Sequence, residues 1–160
     1  AARRAVCSGR RMIVPDDTHD FVYMTDGRER TKHVVAGLIA ETLRLRTLPI
    51  ALQVCGEFYR ACTRKLGRSP WEAAQAARNL LTAYPTFAAT RGSMERALAE
   101  AAAGRLSFWD ANLLAAAEEA GCTHILSEDM ADGLRLGRIE VVRPFDASGP
   151  SERARQLLDL

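Results

Sequence analysis

A chain of 160 residues, 48% of them hydrophobic, carries enough apolar side chain for one domain with a core of its own and too little for two. No apolar run nears the roughly 18 residues needed to cross a bilayer, and the opening "AARRAVCSGRR" lacks the apolar middle of a signal peptide, so the composition points to a soluble, cytoplasmic protein. The net charge of +2 rests on Arg3, Arg4, Arg10 and Arg11; without those four, the 22 basic residues fall to 18 against 20 acidic, a net of −2, which excludes a basic nucleic-acid-binding surface of the usual kind.

Residues 1–11 are expected to be a disordered basic extension, 12–145 the folded domain and 146–160 a polar tail with room for a terminal helix. Met12 to Val14 reads as a short strand closed by Pro15, because proline cannot donate into a central ladder. From Thr31 to Arg46, Val34, Val35, Leu38, Ile39, Thr42 and Leu43 recur at helical spacing. "LPIAL" follows as a second strand. A helix from Gln53 to Leu66 then buries Val54, Phe58, Ala61 and Cys62 and stops at Gly67. "SPWE" is a capping box, with Ser69 as N-cap, Pro70 in the first turn and Glu72 reaching back; its helix ends before Pro85.

A short helix near Ser93 to Ala103 closes at Gly104. "LSFWDANLLAAAEEAGCTHILSEDM" predicts an N-cap at Ser107, a helix to Gly121, the strand "THILS" and acids at its end. A last strand, Ile139 to Val142, stops before Pro144. Short apolar runs alternating with helices predict an α/β fold around a parallel sheet. Cys7, Cys55, Cys62 and Cys122 form no CxxC pair and read as free thiols rather than zinc ligands.

In such a sheet, ligands collect beyond the carboxyl ends of the strands, where acids distant in sequence converge. Asp16 and Asp17 follow the first strand, Glu57 lies just past the second, Asp110 opens a helix, and Glu128 and Asp129 follow "THILS". Crowded carboxylates repel unless a cation sits among them. A hard ion, Mg²⁺ or Mn²⁺, suits oxygen donors and can activate water against a phosphodiester. Each acid also has a structural explanation. Asp110 completes "SFWD" as a capping residue, Glu57 suits a helix N-terminus, Glu128 and Asp129 suit a turn, and the whole cluster from Asp16 to Asp20, Asp17 included, suits a solvated loop.

"LSFWDANLLAAAEEAGCTHILSEDMADG", continued by "RIEVVRPF", resembles the C-terminal half of PIN-domain proteins, in particular VapC-type toxins of bacterial toxin–antitoxin pairs. "LQVCGEFYRACTRKLGRSPWEA" resembles the family's glutamate-bearing helix and the helix after it, and "DTHDFVYMTDGRERTKH" is similar to its opening segment. The resemblance implies a PIN-like three-layer fold, with a central parallel sheet of about four to five short strands flanked by helices. It implies a Mg²⁺- or Mn²⁺-dependent endoribonuclease whose acids are Asp17, Glu57, Asp110 and Asp129. Asp17, Asp110 and Asp129 would hold the metal, with Glu57 and Glu128 as further candidates. Thr18 and Ser127 would support the site, and Arg60, Arg64 or Lys65 would meet RNA phosphates.

The resemblance also implies a homodimer and a separately encoded antitoxin. The chain departs from the family pattern at Pro15, at His19 where asparagine is usual, at Asp20 where an aliphatic residue is usual, and at Ala51 in place of a small hydroxyl residue. Those departures keep a second reading open, a PIN scaffold that binds a partner without catalysis. A third, a phospho-accepting receiver domain, would need an acid at the end of "LPIAL" and a lysine at a late strand end; the first is absent and the late strand ends in "SED".

Overall fold

The computed structural model describes residues 13–15, 30–147 and 149–160. Its elements, in chain order, are β1 (Ile13–Pro15), α1 (Arg30–Leu45), β2 (Ile50–Ala51), α2 (Leu52–Arg64), α3 (Pro70–Ala83), β3 (Thr86–Phe87), α4 (Arg91–Ala102), α5 (Phe108–Glu119), β4 (His124–Leu126), β5 (Arg135–Leu136), β6 (Ile139–Val142), β7 (Phe145–Asp146), β8 (Gly149–Pro150) and α6 (Glu152–Leu158). Helices dominate, and the caps behave as the sequence requires. Ser69 Oγ accepts from the Glu72 amide while the Glu72 carboxylate accepts from the Ser69 amide. Ser107 caps α5, and Ala51 gives α2 no side-chain cap.

The sheet differs from the expected single parallel sheet of four to five strands. Strands run β1-β4-β6-β5, with β1, β4 and β6 parallel and β5 antiparallel at the edge, in a tight hairpin with β6. The "LPIAL" strand shrinks to β2 and leaves this sheet to pair in parallel with β3. Pro85 explains the exchange. The residue before a proline is pushed out of helical geometry, so Tyr84 is extended at φ −126°, ψ 145°, and the Pro85 carbonyl accepts from the Ile50 amide at 2.9 Å.

A single core runs through α1, α2, α5, β4 and β6, filled by residues such as Ile39, Leu43, Val54, Leu114, Ile125 and Val141. α5 lies at its centre: all seven residues from Ala111 to Ala117 are buried. α4 packs along α5, which also meets β5 and β6. Residues 149–160 return to the core, with Ala154 and Leu158 of α6 buried in it. Cys55, Cys62 and Cys122 are free and buried, and burial pushes the thiols of Cys55 and Cys62 up from their ordinary value.

Glu140 of β6 fastens the terminal helix. Its carboxylate, only 12% exposed, accepts from Arg153 of α6 and Arg135 of β5. The Arg153 hydrogen bond, aided by the charges of both arginines, holds its carboxyl below the ordinary 4.5 although burial opposes this. A lowered folded value contributes stability that is present above the unfolded value and lost as pH falls through the folded one. Glu140→Gln should therefore lower Tm most at neutral pH, where a gap of about 2–4 °C corresponds to ~1 kcal/mol. Melting curves should show that gap shrinking below pH 4.5 and vanishing once the folded value is passed; a gap independent of pH would refute the role.

Candidate functional site

The parallel register fixes one edge of the sheet. Pro15 pairs with Leu126, so β1 and β4 end level, and Ser127 begins the turn beyond β4. Asp17 follows Pro15 by two residues, and Asp129 follows Leu126 by three. Asp16, Asp17, Thr18, His19 and Asp20 lie outside the described residues.

α5 runs into the start of β4, so its first turn, with Trp109 and Asp110, lies toward this same edge. The Asp110 amide donates to Ser107 Oγ at 3.1 Å, and the Ser107 hydroxyl donates back to Asp110 Oδ2 at 2.7 Å. The capping box expected of "SFWD" is therefore only half formed: Ser107 caps the helix, but the half-buried Asp110 takes the serine hydroxyl and not the Ser107 backbone amide.

Glu57 stands in the second turn of α2, also half-buried. Gln53, one turn earlier, donates from Nε2 to Glu57 Oε1 at 3.0 Å and at longer range, 3.4 Å, to the Trp109 carbonyl. Its Oε1 accepts from Asn112 Nδ2 at 2.9 Å. Gln53 therefore binds the Glu57 helix to the turn that bears Asp110. Asn112 is 6% exposed, and its Oδ1 has no hydrogen-bond partner among the described residues. Neither Gln53 nor Asn112 was singled out from the sequence. The available signal was a glutamine four residues before Glu57 and a lone amide in the apolar run "ANLLAAA".

A groove of about 460 Å³ opens between the two helices, lined by Leu52, Gln53, Gly56, Glu57, Arg60 and Trp109. Arg60 is the cation among the three expected phosphate contacts that reaches it; Arg64 and Lys65 are exposed at the far end of α2. Ser127 is fully buried, and its Oγ accepts from the amides of Asp129 and Met130, both at 3.2 Å. It thereby shapes the turn that presents the exposed Asp129. Glu128 is ion-paired with Lys32 of α1 at 3.3 Å.

Among the described residues, no group of three or more His, Cys, Asp or Glu side chains is placed to hold a metal ion. The acids that the sequence singles out, Glu57, Asp110 and Asp129, offer carboxylate oxygens, the chemistry that a hard divalent cation takes.

No family model and no curated protein matches the chain. Among solved structures it is similar to VapC20 of Mycobacterium tuberculosis, a sarcin–ricin loop cleaving toxin, with a TM-score of 0.56 at 21% identity over 73% of this chain and 91% of that one. It is also similar to VapBC2 of Rickettsia felis bound to a DNA fragment from their promoter, with a TM-score of 0.55 at 12% identity over 82% and 98%. The fold is that of the PIN-domain VapC toxins.

Gln53→Ala should cost about 1–3 kcal/mol, because it strands the buried Asn112 amide without its acceptor. Glu57→Ala takes one acceptor from a half-buried glutamine amide that still reaches the Trp109 carbonyl, and should cost less. Urea unfolding of the two variants measures the order, and equal losses would dismiss Gln53 as the bridge.

Proposed function

Proceeding from a fold shared with VapC toxins, we propose that this protein is a metal-dependent endoribonuclease, the toxin of a toxin–antitoxin pair. The observation that carries the reading is the Gln53 bridge, which ties Glu57 to the turn of Trp109 and Asp110 across one groove. No helix among the described residues is long and apolar enough to cross a membrane.

In this reading Asp17, Asp110 and Asp129 hold Mg²⁺ or Mn²⁺. Such a cation, when bound, would supply a water of lowered pKa and offset charge on the phosphate. Glu57, fixed in rotamer by Gln53, positions that water for attack in line with the leaving 3′ oxygen. Arg60 contacts the phosphate through its fork of N–H donors. Ser127 holds the turn of Asp129, Thr18 supports Asp17, and Glu128 acts at a distance through its ion pair with Lys32. RNA is the substrate, a homodimer the assembly, and the partner an antitoxin protein covering the acidic groove, as the toxin named in the Rickettsia structure has its own partner.

Asp110→Asn should abolish metal-dependent RNA cleavage while the circular dichroism spectrum and the melting transition survive; undiminished cleavage would overturn the assignment. The binding-only reading draws on Ala51, which leaves α2 without a side-chain cap, and on the Ser107 hydroxyl that already engages Asp110. Metal titration separates the two. A ligand at 100 times its Kd stabilises a fold by about 2.7 kcal/mol, so Mg²⁺ or Mn²⁺ should raise Tm. A Tm indifferent to either ion, together with no cleavage, would favour the scaffold.

A further inference from the structure

We propose that the groove between Trp109 and α2 seats one unpaired base of the RNA beside the cleaved phosphate, with Trp109 as the stacking surface, Gly56 as the open floor and Arg60 on the adjoining phosphate. The inference rests on the nuclease reading and names how its substrate is held.

Trp109 is 63% exposed, although it opens a helix whose next turns are wholly buried. Its ring plane is held by an edge contact with Phe108, with centroids 5.1 Å apart and planes at 71°. A rigid, exposed indole presents a large flat surface at small entropic cost, which is how proteins hold single-stranded bases without a sequence code.

Gly56 is the second observation. Glycine inside a helix costs about 1 kcal/mol against alanine, yet a Cβ at this position would meet nothing within 4 Å among the described residues. Interior packing therefore does not demand glycine here. What the missing side chain does is bare the backbone on the wall of the groove that Trp109 also lines, leaving room for a planar ring.

Arg60 follows Gly56 by one turn, is exposed, and has no ion-pair partner among the described residues. An unengaged guanidinium complements a phosphate, and an exposed indole facing a bare helix wall complements a base, with Asp110 next to that indole in sequence. An acidic peptide would meet Glu57 in the same groove, and a purely apolar one would leave Arg60 unused.

The chain has two tryptophans, so Trp71→Phe leaves Trp109 as the sole reporter. Titration with a short single-stranded oligoribonucleotide in EDTA, which prevents cleavage, should quench its fluorescence. Trp109→Leu and Gly56→Leu, each checked for an intact melt, should weaken binding about 10-fold. Trp109→Phe should restore much of it, and an abasic substitution at one position should remove the advantage of the indole. RNA cleavage and binding unchanged in Trp109→Leu would overturn the base seat, leave the nuclease reading standing and give the groove to a protein partner. A quench of equal size with a fully abasic oligonucleotide would also overturn it. Failure of the parent and every variant to bind or cleave RNA would remove the nuclease reading and this inference together.

Discussion

The burial of α5 on every side constrains the rest of the molecule. Seven consecutive residues of the helix, Ala111 to Ala117, are out of water, so it cannot have a polar stripe and must be thin enough for neighbours to close around it. Alanine at 111, 115, 116 and 117 meets that need and also favours the helix. With α4 on one side and the β5–β6 hairpin on another, the axis of α5 is fixed. Its two ends then have different tasks. At the C-terminal end Glu118 accepts from the Arg138 amide and from Arg96, drawing the hairpin turn onto the helix. At the N-terminal end the same rigid axis delivers Trp109 and Asp110 to the edge of the sheet.

Arginine is distributed unevenly between these ends. Glu118 and Glu140, away from the groove, are clasped by guanidinium groups, and in both cases hydrogen bonds and charge hold the carboxyl below its ordinary value against the pull of burial. Asp110 takes a neutral hydroxyl, from Ser107, and Glu57 takes the neutral amide of Gln53 among its contacts. A neutral donor orients a carboxylate without cancelling its charge. The acids clasped by arginine, Glu118 and Glu140, serve the fold.

Much of this was legible in the sequence because it is local. Helix starts follow from Ser69, Ser107 and their partners three residues on, and β6 was read with its observed bounds from an apolar run ahead of Pro144. The two-residue strands β3, β5, β7 and β8 were not read, since at that length there is no periodicity and pairing is decided by where the partner lies. Pro85 was understood as a helix stop, though the same restriction on Tyr84 also starts a strand. Within the site, the acids drew notice by type, while Gln53 and Asn112 are common residues that matter through contacts spanning up to 59 residues of sequence. Asp17 was chosen from sequence alone and lies outside the described residues.

The three interior cysteines bear on how this protein can be followed in solution. Cys55, Cys62 and Cys122 are spread over α2 and the turn into β4, all within one core. Thiolate is the reactive form of cysteine, and burial holds Cys55 and Cys62 away from it. Alkylation of these thiols must wait for the chain to open. In a Cys7→Ser background, maleimide uptake thus becomes a clock for the opening of the whole core, read without any added label.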